Sequence, residues 1–124
     1  WQLSNPPILS MAAIKASLDL FNEVGMDALR EKSEKLTGYF EFLINEIGSE
    51  NIKIITPKNP KERGCQLSIQ VKNADKSLHK KLTQNNIITD WREPDVIRCA
   101  PVPMYTSFED LYSMVSILKG FLLV

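Results

Sequence analysis

The chain has 124 residues, 44% of them apolar and 24% charged, the balance of one globular domain rather than of a disordered, collagen-like or cysteine-stapled chain. Lys plus Arg numbers 15 and Asp plus Glu numbers 15, so no net field draws it toward nucleic acid or an anionic membrane. The longest apolar runs are a few residues, far short of a bilayer span.

The chain opens on Trp1-Gln2-Leu3-Ser4, without an initiator Met or leader composition, and reads as a piece of a longer protein. Ser4-Asn5-Pro6-Pro7 reads as a helix entrance: Ser or Asn can cap free amides, and proline suits the first turn. Ile8, Met11, Ile14, Leu18, Phe21 and Val24 then recur at helical spacing. Ala12, Ala13 and Ala16 widen the apolar surface beyond what a surface helix needs, which predicts a helix buried on more than one side in the intact protein and partly exposed in this segment alone. Gly25 interrupts it. A second helix carries Met26, Leu29, Leu36, Phe40, Leu43 and Ile47 on one stripe and a Glu31–Lys35 pair on the other, until Gly48.

Beyond Gly48 the period changes to alternation. A short strand over 52–56 stops at Pro57, a polar surface loop runs to Gly64, and a half-buried strand follows over 65–71. Asp75 can cap a helix whose inner face is Leu78 and Leu82, and Asn85-Asn86 can end it. Strands are predicted over 87–90 and 96–100. Ser107 and Asp110 form a capping box for a last helix carrying Leu111, Met114, Val115, Leu118, Phe121 and Leu122. The order α-α-β-β-α-β-β-α describes an α/β (α+β-like) small domain, with helices on one face of a small mixed sheet. The strand–helix–strand segment over 65–90 would join two parallel strands, and the hairpin over 87–100 would add an antiparallel partner. Residues 1–48 read as connecting helices leading into an α/β unit over 49–124.

Little in the chain suggests chemistry of its own. Cys65 and Cys99 sit in apolar runs and read as small core residues of a protein kept in a reducing compartment, the cytoplasm. One histidine, His79, lies on a polar helix and reads as solvated; with two cysteines it cannot complete a zinc set. Lys72, Lys76, Lys80 and Lys81 read as a solvated face. Arg98 is different. In a strand it shares a face with Val96, and a charge in so apolar a strand needs an anionic partner or a solvated cleft. Its planar fork suits a carboxylate or phosphate, and a salt bridge to one of the protein's own carboxylates accounts for it as well. Asn5, beside a rigid Pro-Pro, could face a ligand or simply cap the helix.

Three separated stretches carry a resemblance. Trp1-Gln2-Leu3-Ser4-Asn5-Pro6-Pro7-Ile8, Arg63-Gly64-Cys65-Gln66-Leu67-Ser68 and the run from Ile97-Arg98-Cys99-Ala100-Pro101-Val102-Pro103-Met104-Tyr105 to Phe108 resemble the C-terminal portion of kynureninases, as does Leu36-Thr37-Gly38-Tyr39. The likeness runs in order along nearly the whole chain. Cys99 stands where an aliphatic is expected, and Asp95-Val96 replaces an Asn-Gly-like turn.

The resemblance implies the small domain of a pyridoxal-phosphate (PLP) enzyme with the aspartate-aminotransferase (type I) fold, acting as a homodimer. The implied reaction is hydrolysis of L-kynurenine or 3-hydroxykynurenine to L-alanine and anthranilate or 3-hydroxyanthranilate. It also implies that Arg98 binds the substrate α-carboxylate and that Asn5 lies at the cofactor and substrate pocket. The Schiff-base lysine and phosphate-binding residues would belong to a preceding large domain, leaving this segment inactive alone. For Arg63 a structural pairing is the expectation. The small domain of an aminotransferase or cysteine desulfurase, a free-standing ferredoxin-like binding module and a dimerisation domain stay open as alternatives.

Overall fold

Leu36, Phe40 and Ile44, spaced by four residues, are at most 1% exposed, and the remaining elements gather round that stripe. A computed structural model describes residues 4–122; the Trp1-Gln2-Leu3 start of the opening motif lies outside the described residues. The helices are α1 (Ile8–Val24), α2 (Met26–Asn45), α3 (Lys76–Gln84) and α4 (Phe108–Leu122). The strands are β1 (Ile52–Ile54), β2 (Leu67–Val71), β3 (Asp90–Arg92) and β4 (Val96–Cys99). The chain order is the expected one, and the 57–64 connection contains a single 3-10 turn, Pro60–Glu62, capped by Asn59.

The sheet order is β1-β2-β4-β3, with every neighbouring pair antiparallel. The expected mixed sheet is therefore corrected in one respect. β2 and β3 do run parallel, but β4 lies between them, so no parallel ladder forms. Burial explains the choice. β4 brings the inward residues Ile97 and Cys99 beside Leu67 and Ile69 of β2, whereas three-residue β3 carries Asp90 and Arg92, which suit an edge. Leu67, Ile69, Val71, Ile97 and Cys99 turn one face of the sheet to α2, α3 and α4. The opposite face carries Ser68, Gln70, Val96 and Arg98, all half-buried.

Local signals for helix ends mostly hold. Ser107 and Asp110 make the reciprocal capping box: the Ser107 N–H donates to Asp110 Oδ2 at 2.8 Å, and the Asp110 N–H to Ser107 Oγ at 3.1 Å. Asp75 Oδ1 accepts from the Ser77 N–H at 2.7 Å. Asn86 adopts φ +62°, and the Ile87 N–H returns to the Leu82 carbonyl while the Asn86 N–H returns to Thr83, a Schellman ending. That ending delays the third strand from the predicted 87–90 to 90–92. In α2, Ile44 is buried and Met26 is 65% exposed, shifting the predicted stripe by part of a turn.

α1 is left exposed within this domain. It buries no residue, and Ile8, Leu9, Met11, Ile14 and Leu18 are each more than half exposed. Its wide apolar surface is not covered by this domain's own sheet, in keeping with the expectation that the helix is partly exposed in this segment alone; Gly25, at φ +83° and ψ +141°, turns α1 away from the line of α2. Among the described residues no helix is long and apolar enough to cross a membrane.

Candidate functional site

Arg98 stands on central strand β4, outward by the same alternation that sends Ile97 and Cys99 into the core. The ladder register places Asp90 of β3 directly opposite it on one side and Ser68 of β2 on the other. Arg98 Nε donates to Asp90 Oδ2 at 2.7 Å, and Arg98 Nη2 donates to the same oxygen. Arg92 Nε reaches that oxygen as well, at 3.0 Å. Three donors thus converge on one carboxylate atom. The Arg98 and Asp90 side chains remain 33% and 47% exposed, so the pair lies on an open face. Of the alternatives open for Arg98 in the sequence, the structure contains the protein's own carboxylate, outside the core. Sequence reasoning gave Asp90 no role.

The β3–β4 turn is anchored from beside. Gln70 Nε2 donates to the Asp95 carboxylate at 3.1 Å, and the Val71 N–H donates to the Asp95 carbonyl at 2.9 Å. These bonds hold the hairpin against β2, and with it the Asp90–Arg98 row.

Asn5 is exposed and precedes α1. Its capping reading is corrected: the N-cap of α1 is Pro7, and no side chain caps it. No hydrogen bond joins Asn5 to Arg98.

Arg63 is a structural residue. Its side chain is 2% exposed; Nη1 donates to Glu41 Oε2 at 2.7 Å and to the Pro57 carbonyl at 3.1 Å. Arg30 Nη1 in turn donates to the Arg63 carbonyl at 3.0 Å. These bonds tie the 57–64 loop to α2. Burial pushes the Cys99 thiol up to about 12, so it stays protonated and packs as a small apolar residue. Cys65 does not share that position. It falls before β2, half-buried, and lines an apolar groove with Phe21, Leu29 and Pro103. His79 is half-buried rather than solvated, its Nε2 within 3.1 Å of the Thr89 carbonyl, which links α3 to the approach of β3.

Four carboxyls are held below their ordinary range by donors: Asp90 by Arg98 and then Arg92, Asp75 by Ser77, Asp110 by Ser107, and Glu31 by Lys35. A carboxyl with a folded pKa below its unfolded value of about 3.9 stabilises the fold above that pH and loses the contribution as pH falls through the folded value. The melting temperature should therefore hold from pH 7 to about 5 and fall below about 4. Added salt should shrink the Asp90 share, since that pair is exposed. Melting curves between pH 3 and 7 at two ionic strengths check this.

Comparison with known proteins points in one direction. The family described as "Kynureninase C-terminal domain" matches residues 29–118. A kynureninase of Myxococcus xanthus is 51% identical over 97% of this chain and 28% of its own length. One from Flavobacterium johnsoniae is 52% identical over 96% of this chain and 29% of its own. This chain thus spans between a quarter and a third of these relatives. Among solved structures, the acetylornithine aminotransferase of Elizabethkingia anophelis superposes with a TM-score of 0.66 at 23% identity, over 88% of this chain and 27% of that one; the likeness is one of fold.

Proposed function

Because the chain belongs to the kynureninase C-terminal domain family, we propose that it is the small domain of a cytoplasmic, homodimeric, PLP-dependent enzyme that hydrolyses L-kynurenine or 3-hydroxykynurenine. The products are L-alanine and the corresponding anthranilate. The observation that carries this reading to a residue is Arg98, an arginine on the outward face of a central strand, a third exposed. Its role is to bind the substrate α-carboxylate, and fixing that group orients the amino acid for reaction. In this reading Asn5 meets cofactor and substrate from the entrance of α1, and residues 1–48 connect the small domain to the rest of the enzyme. The exposed apolar length of α1 supports that connecting role.

When bound, pyridoxal phosphate supplies the electron sink for cleavage of the carbon–carbon bond. The described residues do not by themselves fit it. No described lysine is buried, and none is enclosed beside an acid that could pair with a pyridine nitrogen. Holding the cofactor falls, in this proposal, to the part of the enzyme outside this domain. The full-length protein should release anthranilate and alanine from L-kynurenine and show cofactor absorbance, whereas residues 1–124 alone should do neither. Stoichiometric cofactor binding or cleavage by the isolated domain would overturn the division of labour. A full-length protein that transaminates kynurenine without cleaving it would overturn the reaction.

A further inference from the structure

A guanidinium offers a carboxylate two edges: the side edge, Nε with Nη2, and the end edge, Nη1 with Nη2. In this domain Asp90 covers only the side edge of Arg98. Among the described residues no hydrogen bond reaches Nη1, and a third of the side chain is open to solvent. The Asp90 oxygen is held in turn by Arg92 Nε at 3.0 Å, and its backbone lies opposite Arg98 in the ladder. Resting on the reading of Arg98 as the carboxylate anchor, we propose that Asp90 is a positioning residue. It grips the guanidinium by the side edge and thereby presents the end edge to the substrate carboxylate.

Two effects of Asp90 oppose each other. A free arginine samples many rotamers and loses that freedom on binding, whereas one already held by a fixed carboxylate has lost it beforehand. Against this, the negative charge of Asp90 repels an incoming carboxylate. Arg92 offsets the repulsion: the trio of Arg92, Asp90 and Arg98 carries one net positive charge, matched to a single carboxylate. Positioning predicts that removing Asp90 weakens substrate binding. A carboxylate that merely competed for Arg98 would predict the reverse.

The test uses the full-length protein with L-kynurenine, measuring kcat and KM for Asp90→Ala and Asp90→Asn, each in the parent and in an Arg98→Lys background. Asp90→Ala should raise KM roughly tenfold or more in the parent, with a smaller effect for Asp90→Asn, which keeps an oxygen acceptor. In the Arg98→Lys background the same change should cost less than about twofold, because Asp90 acts through the lost fork. A KM that is unchanged or lower in the parent overturns the proposal, as does an equal loss in both backgrounds. If Asp90→Ala does not fold, Asp90→Asn carries the same contrast between backgrounds. An Arg98→Lys enzyme with normal kcat/KM refutes the anchor reading itself, a result separate from the others.

Discussion

Arg98→Lys in the full-length protein is expected to lower kcat/KM for L-kynurenine by roughly two or more powers of ten, with cofactor absorbance retained. Hydrogen bonds to charged groups contribute about 1.5–3 kcal/mol each, and the arginine fork makes two where a lysine ammonium makes a single point contact. At 1.4 kcal/mol per tenfold, losing one such bond and the orientation it imposes accounts for the drop. The lysine should also leave its own neighbourhood less ordered, because Asp90 now receives Nε and Nη2 of the same guanidinium. The exposure of the pair argues that stability changes little, since open ion pairs contribute little to folding. Activity and stability therefore separate. Near-normal kcat/KM with a lowered melting temperature would make Arg98 a purely structural ion pair. Asn5→Ala should be milder and should differ between kynurenine and its 3-hydroxy form, a ratio that steady-state assays on both substrates measure.

The other arginine of the recognised motifs should behave in the opposite way. Glu41→Ala is expected to destabilise the protein by about 3 kcal/mol or more, since it leaves the Arg63 guanidinium enclosed with only the Pro57 carbonyl for a partner. For a domain of this length that lowers the melting temperature by roughly 10 °C. Arg63 is 2% exposed and Glu41 19%, so water cannot replace the missing carboxylate. The double change Arg63→Met with Glu41→Leu should recover most of the loss, because taking out both charges leaves no uncompensated ion. Denaturant unfolding of the two variants measures the difference. Kinetics on the folded fraction should be normal for both. A fall in kcat/KM without loss of stability would instead bring Arg63 into the site.

The two arginines illustrate how far sequence alone reaches. Each belongs to a motif that resembles the kynureninases, but Arg98 lies between Ile97 and Cys99 whereas Arg63 lies between Glu62 and Gly64, so the sequence separates a strand arginine from a loop arginine without naming the partner of either. The chain of Glu41, Arg63 and Pro57 joins positions far apart in sequence, which no local pattern reveals. Asp90 was closer to legible. Counting outward from the turn at Glu93-Pro94-Asp95 pairs Arg92 with Val96 and Asp90 with Arg98, the register the hairpin adopts. Placing the strand over 87–90 hid that pairing. The displacement came from Asn86, whose left-handed conformation spends Ile87 on closing α3 rather than on a strand.

Periodicity, capping residues and glycine positions determine the element order, the Ser107–Asp110 capping box, the αL ending at Asn86 and the inward rows of β2 and β4. Each depends on interactions within a few residues, and these the chain encodes locally. Which strand takes the centre of the sheet was decided only in the tertiary structure. A hairpin can offer either arm to β2, and the arm carrying Ile97 and Cys99 gains more by burial than the arm carrying Asp90 and Arg92. The fate of α1 was decided there too. Its apolar spacing specifies a helix with something to cover, but Gly25 directs it away from the sheet, and this domain offers no surface that buries it.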